Sequence, residues 1–445
     1  MSISSVKEDL LSGISRILLL FLYLTGSTPA LATDTPKLSA EERTFTASKV
    51  YSIVHDYFFL ARKPPRLSLD ASYETYLRTV LSSDDRRQFD LTTIEFVAQF
   101  NNGHTFFWDT WLDKDNQPLG FYAAPLGGYW VVEYSSLSGL KRGDIIASID
   151  NTPTETFFRQ KQRYISASST AAQRNNLFLF PYLFPEQFTL TLDNNRKVTI
   201  DRERFKESQQ KTDGRWLRPG AAAYIRIPSF NHPWFEQDAL DFIGEFRDAE
   251  TLIIDVRNNP GGAAPQRLIQ KLMDRPYREW RESTSVRVAL AECDQKKEKV
   301  KKSTTMPAFL QNCERSANDY LCSSPVTWAG DVIGPSADVF HGQVILLADG
   351  GCVSACEDFV EPFKQSGRGI IVGETTEGSS GVPLFHDFGN GMTLKIAIKR
   401  LYFPDGSEFE GVGIKPDVEV HPTIESLKSG RDVVLEEAIE LTAKP

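Results

Sequence analysis

Two apolar runs, each followed by a glycine-rich turn, constrain the fold of this 445-residue chain more than any other feature. The run at residues 252–256 leads into a turn with Pro-Gly-Gly, and the run at residues 344–347 leads into a turn with Asp-Gly-Gly. Stretches with helical spacing of apolar residues follow these turns, at 266–273 and at about 354–365. Buried strands that alternate with helices are typical of a parallel sheet covered by helices. The sequence therefore predicts an α/β core.

The chain divides into segments of different character. Residues 33–112 have helical periodicity and form a predicted N-terminal helical domain, whereas residues 117–205 have the short strands and turns of a small β-rich module. The α/β core is expected at 215–425, interrupted by a Cys- and Lys-rich insertion at 285–335. A tail helix is expected at 426–445. We therefore predict a multidomain α/β protein.

The first 32 residues have the pattern of a cleavable secretory signal. Lys7 and Arg16 flank the start, an apolar run occupies 17–24, and Ala30-Leu31-Ala32 offers a small-x-small cleavage site. The apolar run is shorter than the roughly 20 residues that span a bilayer. We expect an exported protein, periplasmic or secreted, without stable membrane insertion after cleavage. An uncleaved anchor is the alternative.

Charge and motif content exclude several classes of partner. The 50 Lys and Arg residues and 59 Asp and Glu residues give a formal net charge of −9, whereas a general nucleic-acid binder is usually basic. No nucleotide-binding glycine motif follows either apolar run, and no His-rich cluster has metal-ligand spacing. We therefore expect no nucleic-acid partner, no cofactor and no metal.

The five cysteines form two groups. Cys293, Cys313 and Cys322 are disulfide candidates because export permits disulfides, and we expect one bridge among them. Cys352 and Cys356 are four residues apart, a spacing at which helical side chains face the same way. A disulfide between them is one alternative, and a nucleophilic role for Cys352 is another. Packing as small residues is the favoured interpretation.

A serine at the second glycine turn has the position of a nucleophile. Ser354 stands where a helix is predicted to begin, and the free N–H groups of a helix start favour an oxyanion. A serine that only caps the helix would have the same position, so position alone favours the capping role. A nucleophilic serine also needs a base. Among six histidines, His104 is a reasonable candidate because it stands alone in a loop.

Several segments together resemble one family, the C-terminal-processing or tail-specific serine peptidases. The family signatures that the chain resembles are Asp-Leu-Arg-x-Asn-Pro-Gly-Gly at 255–262, Gly-Gly-Ser-Ala-Ser-Ala-x-Glu at 350–357, Val-Val-Gly-Glu-Thr-Thr at 371–376 and the family's C-terminal end at 404–417. Residues 140–146 resemble part of its PDZ-like domain. The resemblance implies a helical domain, a PDZ-like module and a protease core of the ClpP/crotonase-like type.

The departures from the family pattern indicate which branch the chain resembles. Many members use a Ser–Lys dyad whose lysine lies in a Gly-Lys-Gly after Gly-Glu-Thr-Thr, but here residues 377–380 are Glu-Gly-Ser-Ser. A second branch is similar to the tricorn protease core and uses Ser, His and Glu. Residues 102–105 match its Asp-Gly-His-Thr with Asn in place of Asp, and Glu410 matches its glutamate.

The resemblance implies a serine peptidase mechanism. Ser354 would attack the scissile carbonyl, His104 would act as the base, and Glu410 would orient the imidazole directly or through another polar side chain. The oxyanion hole would consist of backbone N–H groups, from Ala355 and from either Gly261 or Gly262.

Other residues and functions remain open at this level. Glu374 is the rival carboxylate for the imidazole, and Thr105 is a further supporting candidate. The expected substrate is a polypeptide or peptide, with cleavage near the C-terminus as one option. The PDZ-like module would either read C-termini or guide substrate as a lid. The alternative function is a catalytically inactive family member that binds a peptide or another ligand.

Overall fold

The computed structural model describes residues 37–58, 68–114, 118–202, 210–285, 288 and 326–442. The predicted secretory signal at 1–32 and most of the insertion at 285–335 lie outside the described residues. So do the three disulfide candidates Cys293, Cys313 and Cys322. From Leu38 onward the described residues belong to one folded unit.

Three helices form the N-terminal part of this unit: α1 (Ala40–Tyr57), α2 (Leu69–Leu81) and α3 (Arg86–Ala98). Ser39 and Glu42 form a capping box at the start of α1, because each side chain accepts a hydrogen bond from the other's backbone N–H. Strand β1 (Phe106–Asp109) and the short helix α4 (Thr110–Lys114) follow. The helices share an apolar core with β1 and with residues 392–397. The loop between α3 and β1, which contains His104, is thereby held against the rest of the unit.

Residues 118–202 are rich in strands, as the sequence predicts. The elements are β2 (Phe121–Leu126), β3 (Tyr129–Ser135), β4 (Ile146–Ile149), β5 (Thr152–Pro153), α5 (Thr154–Lys161), α6 (Thr170–Asn175), β6 (Gln187–Leu192) and β7 (Lys197–Asp201). Strands β2 and β3 form one sheet, and a second sheet has the order β5-β4-β6-β7. Aromatic rings, among them Phe178 and Phe184, fill the core between them. The relation of this module to PDZ domains stays a prediction.

The predicted α/β core contains a sheet of six strands: β8 (Asp213–Arg218), β9 (Ala222–Arg226), β10 (Thr251–Asp255), β15 (Gln343–Ala348), β16 (Gly369–Gly373) and β20 (Val418–Glu419). Their order across the sheet is β20-β16-β15-β10-β9-β8. Only β8 pairs in antiparallel fashion. The two apolar runs of the sequence are β10 and β15, which lie side by side in parallel. Because parallel strands end at the same edge, their glycine turns meet there.

Helices cover both faces of this sheet. Three of them, α7 (Pro233–Glu245), α8 (Gln266–Leu272) and α9 (Ala355–Ser366), share the larger apolar core on one face. The expected tail helix is instead two short helices, α10 (Ile424–Ser429) and α11 (Val433–Leu441). Gly430 ends α10 in the left-handed conformation, and Asp432 caps α11, which packs on the opposite face. No helix among the described residues combines the length and the apolar character needed to cross a bilayer.

The remaining strands form smaller sheets around the core. They are β11 (Tyr277–Arg278), β12 (Arg281–Thr284), β13 (Val326–Trp328), β14 (Val332–Ile333), β17 (Pro383–Asp387), β18 (Met392–Ala397) and β19 (Lys399–Tyr402). One of these sheets has the order β1-β18-β17 and therefore joins the strand after His104 to a distant part of the chain.

Candidate active site

Ser354 lies at a sharp turn between β15 and α9. Its φ of 59° and ψ of −122° are unusual for a residue with a side chain, and such conformations persist only where the surroundings impose them. Its N–H donates to the backbone oxygen of Ser379 at 2.9 Å. A strand, a sharp turn at a serine and a helix are the arrangement that exposes a nucleophilic hydroxyl in other hydrolases.

The structure brings His104 to this serine across 250 positions of the chain. Nε2 of His104 lies 2.8 Å from Oγ of Ser354, within the reach required of a general base. The His104 side chain is buried, with the residue only 3% exposed. Burial, and to a lesser degree the positive charge of Lys395, lowers the pKa of His104 to about 3. The imidazole is therefore neutral at neutral pH and able to accept a proton.

The other ring nitrogen of His104 faces a residue that the sequence did not single out. Oγ of Ser379 lies 3.0 Å from Nδ1 of His104. Ser379 belongs to the stretch 377–380, where the lysine of the Ser–Lys branch was expected and not found. That stretch was the only sequence signal that could have drawn attention to Ser379.

Glu410 approaches His104 indirectly. Its Oε1 accepts hydrogen bonds from Nδ2 of Asn102, at 2.7 Å, and from Oγ of Ser168. Oδ1 of Asn102 in turn accepts from the backbone N–H of His104 at 3.0 Å. The sequence allowed either direct or indirect orientation, and the arrangement is indirect. It also gives a reason for Asn in place of Asp at position 102, since only the amide has a hydrogen to donate to Glu410.

Burial raises the pKa of Glu410 to about 7. Its second oxygen, Oε2, is buried and makes no hydrogen bond with the described residues. The two hydrogen bonds to Oε1 stabilise the ionised form but do not outweigh burial. Glu410 is thus a carboxyl group that titrates near neutral pH.

A second buried carboxylate, Glu357, organises the loop that contains Ser379. It accepts hydrogen bonds from Oγ1 of Thr376 at 2.6 Å, from the N–H of Gly378 at 2.7 Å and from the N–H of Ser379 at 3.0 Å. Glu357 lies in the first turn of α9, so it ties this loop to the helix that follows Ser354. The sequence identified Glu357 only as the last residue of a family signature.

Of the predicted oxyanion donors, Ala355 and Gly261 lie at the same turn as Ser354. The N–H of Ala355, at the start of α9, is one of those that helix geometry leaves without an acceptor inside the helix. Gly261 packs so closely that a Cβ there would lie 2.9 Å from Cβ of Ser354 and 2.9 Å from N of Ala355. The N–H of Gly261 already donates to Oδ1 of Asn259 at 2.9 Å, whereas no such bond of Gly262 occurs within the described part. Gly262 therefore has the N–H group that is not already engaged, whereas Gly261 has the closer contact with the Ser354 turn.

The other two supporting candidates occupy different places. Oε1 of Glu374 lies 2.7 Å from Nδ1 of His421, and neither nitrogen of His104 contacts it. Thr105 lies directly under the site, where its hydroxyl donates to Asn102 and accepts from the N–H of Ala397 at 3.0 Å. The rival carboxylate is thus not brought to the imidazole, whereas Thr105 supports the loop that contains it.

Cys352 and Cys356 form a disulfide, so the expectation that they pack as separate small residues was wrong. Their Cα atoms are 5.3 Å apart, an ordinary distance for a bridge. Both residues are fully buried, on either side of Ser354. In this form neither sulfur is a thiolate, so Cys352 is not available as a nucleophile.

The described residues contain no group of three or more His, Cys, Asp or Glu side chains that could hold a metal ion. The polar groups around Ser354 are instead connected by hydrogen bonds to one another. The arrangement as a whole offers a half-buried hydroxyl, a neutral base and backbone N–H donors at one helix start, which is the set of groups that acyl transfer requires.

Comparison with known proteins gives one family. Residues 221–420 match the model described as "Peptidase family S41". The chain is 22% identical over 295 residues to the "C-terminal processing peptidase, chloroplastic" of Tetradesmus obliquus. The aligned region covers 64% of this chain and 54% of that protein. It is 24% identical over 329 residues to the "Carboxyl-terminal-processing protease" of Synechocystis sp., covering 72% of this chain and 64% of that protein. The chain thus spans between half and two thirds of the length of these relatives.

Two solved structures share the fold. Mature CPAF superposes with a TM-score of 0.70 at 15% identity, over 91% of this chain and 96% of that one. The photosystem II D1 C-terminal processing protease superposes with a TM-score of 0.52 at 18% identity, over 85% of this chain and 93% of that one. At these identities the likeness concerns the fold alone.

Proposed function

Because the chain belongs to peptidase family S41, we propose that it is a serine endopeptidase that hydrolyses peptide bonds of polypeptides. The observation that carries the proposal is the 2.8 Å contact between Nε2 of His104 and Oγ of Ser354. The similar proteins are named as C-terminal processing proteases, and on that basis we extend the proposal to cleavage near substrate C-termini.

In the proposed mechanism, Oγ of Ser354 attacks the scissile carbonyl carbon while Nε2 of His104 takes the hydroxyl proton. The carbonyl oxygen becomes negative and is bound by the N–H of Ala355 and that of Gly262. His104 then protonates the leaving amine, and the acyl group stays on Ser354. Water, deprotonated by His104, releases the acyl group and restores the serine.

The mechanism needs one tautomer of His104, and the hydroxyl partners of its two ring nitrogens are compatible with it because a hydroxyl can donate or accept. Nε2 must be unprotonated to accept from Ser354, so Nδ1 carries the hydrogen and donates it to Oγ of Ser379. Glu410 acts one step away, by holding Asn102 and with it the backbone of the His104 loop. Ser379 and Glu410 are positioning residues in this scheme.

We also propose that the protein is exported to an oxidising compartment. The signal-like pattern at residues 1–32 supports export. The disulfide between Cys352 and Cys356 gives independent support, because disulfides persist outside the reducing cytosol. Expression with and without residues 1–32, followed by fractionation and mass measurement, tests this. A precursor that is not shortened and stays in the cytosol would contradict it.

Labelling with a fluorophosphonate, followed by intact-mass analysis and peptide mapping, tests the peptidase proposal. We expect stoichiometric label on Ser354, loss of label in Ser354→Ala and strong loss in His104→Ala. Ser366→Ala, at the far end of α9, is the matched serine control and should label like the wild type. Absence of label on folded wild type would contradict the proposal and favour the inactive, ligand-binding alternative.

A further inference from the structure

One cationic side chain near the site has no role in the mechanism above. Lys395 lies on β18, the central strand of the sheet β1-β18-β17. It pairs with Phe106 on one neighbouring strand and with Phe385 on the other. Directly opposed residues share a face of the sheet, so the three side chains form a cross-strand row. Nζ of Lys395 lies 5.0 Å from the ring centre of Phe106 and 5.9 Å from that of Phe385.

The ammonium group of Lys395 has no counter-ion among the described residues. Within the part of the chain that the structure describes, no carboxylate forms an ion pair with Lys395, and its contacts are the two ring faces. Burial lowers the pKa of Lys395 to about 8, so the group is still mostly charged at neutral pH. A partly buried, unpaired charge is costly for a protein to maintain, and a ligand of opposite charge would remove that cost.

The row lies beside the candidate active site. Phe106 follows His104 by two residues, and the N–H of Ala397, two residues beyond Lys395, donates to Thr105 at 3.0 Å. The positive charge of Lys395 is near enough to contribute to the low pKa of His104. The outer end of the row is open, because Phe385 is 56% exposed. A ligand can therefore approach this end of the row from solvent.

We propose that Lys395 is a specificity-determining residue that binds a carboxylate of the polypeptide substrate, between the rings of Phe106 and Phe385. The inference rests on the proposed peptidase function. The carboxylate belongs either to an Asp or Glu side chain near the scissile bond or to the free C-terminus of the substrate. Its negative charge would offset the repulsion between Lys395 and the imidazolium that forms on His104 during catalysis. Substrates with such a carboxylate should therefore bind better and react faster.

Binding to an inactive protein tests the inference without turnover. A pool of peptides from a proteolytic digest is incubated with Ser354→Ala and with Ser354→Ala/Lys395→Met, and bound peptides are identified by mass spectrometry. We expect Ser354→Ala to retain a set of peptides, and their retention should fall about tenfold when the carboxylates of the pool are methyl-esterified. Retention by Ser354→Ala/Lys395→Met should not depend on esterification. Two synthetic forms of a retained peptide identify which carboxylate binds. One form has a C-terminal amide, and the other has Asn or Gln in place of its Asp or Glu.

The kinetic arm uses the same peptides with active enzyme. The wild type should prefer the carboxylate form about tenfold in kcat/KM, Lys395→Met should show less than a twofold preference, and Lys395→Arg should keep most of it. Lys271→Met, which removes a lysine paired with Asp338 elsewhere, should behave like the wild type. An equal carboxylate preference in wild type and Lys395→Met would overturn the inference. Fluorophosphonate labelling of Ser354 needs no carboxylate, so it reports separately on the peptidase proposal.

Discussion

Oγ of Ser379 lies 3.0 Å from Nδ1 of His104, on the side of the ring opposite Ser354. The immediate partner of Nδ1 is thus a neutral hydroxyl, and Glu410, the carboxylate of the proposed scheme, is linked to the His104 loop through Asn102. A hydroxyl can orient an imidazole, but it accommodates either tautomer and stabilises imidazolium less than a carboxylate does. The site consequently depends on preorganisation by hydrogen bonds more than on a direct ion pair.

The first prediction concerns Ser379. Ser379→Ala removes the partner of Nδ1 and should slow fluorophosphonate labelling of Ser354 about tenfold, the effect of about one hydrogen bond. Ser379→Thr keeps a hydroxyl and should recover most of the rate. With a peptide substrate, kcat should fall while KM changes little, because His104 does not bind substrate. Equal rates in wild type and Ser379→Ala would show that this hydroxyl does not position His104.

The motifs of the resembled family pointed to Ser354 and His104, but not to Ser379, the partner of Nδ1 of His104. The glycine turn and helix start that mark Ser354 are contiguous in sequence, and the loop of His104 is likewise a short motif. Ser379 carries no such mark, since its contact with His104 depends on tertiary packing across 275 positions. The same holds for Ser168, which reaches Glu410 from the β-rich module.

The fold was predictable to a similar extent. The strands β10 and β15 were identifiable because each contains an unbroken apolar run, Leu252–Ile254 in one and Val344–Ala348 in the other, as is typical of strands buried on both faces. The pairing of Cys352 with Cys356 was not, because it depends on the backbone turn at Ser354 that takes Cys352 out of the helix. The sequence did not predict the helix end at Gly430. A single glycine within a stretch of helical periodicity can either be tolerated inside a helix or end it, and the sequence does not show which.

The second prediction is a pH dependence of stability that originates at Glu410. Its pKa is about 7 in the folded protein against an ordinary 4.5, so between these values the folded protein binds more protons than the unfolded chain. The free energy of unfolding therefore falls as pH rises from about 5 to 7. Glu410→Gln has no titrating proton but keeps an oxygen for Asn102 and Ser168. As pH rises across this range, the free energy of unfolding of Glu410→Gln should increase by up to about 3 kcal/mol relative to that of the wild type.

Urea denaturation at several pH values between 5 and 7.5 measures this difference. Glu408→Gln is the matched control, because it removes an exposed carboxylate two residues away. The difference between Glu408→Gln and wild type shows how much of the effect comes from removing any carboxylate in this region. If the free energy of unfolding of Glu410→Gln differs from that of the wild type by the same amount at every pH, Glu410 is already ionised at pH 5 in the folded protein.

The third prediction concerns the disulfide around the serine. The bridge between Cys352 and Cys356 closes a short loop that contains Ser354 in its unusual backbone conformation. A dithiol reagent converts the bridge to two thiols while the reagent itself becomes a cyclic disulfide. The freed turn should relax, so labelling of Ser354 should slow about tenfold. The gain of two hydrogens, seen by mass on the 352–356 peptide, shows when reduction is complete.

The matched variant is Cys352→Ala/Cys356→Ala, which lacks the bridge. It should label as slowly as the reduced wild type and should not respond to the reagent. Re-oxidation of the wild type should restore its rate, which separates loss of the bridge from general damage. Fully reduced wild type that labels at the original rate would show that the bridge does not position Ser354.

The last prediction concerns the contact between the two glycine turns. Gly261 has a φ of +87°, and a Cβ there would lie 2.5 Å from the backbone oxygen of Val353. Gly261→Ala therefore combines backbone strain with a clash against backbone that cannot move without shifting Ser354, at a cost of about 1–3 kcal/mol. Gly244→Ala, near the end of α7, has open space around it and should be neutral or stabilising. Urea denaturation and Ser354 labelling measured together should show losses of both stability and rate for Gly261→Ala. If the rate falls while stability is unchanged, the turn serves the oxyanion donors alone; if neither changes, the two turns are not in the contact described.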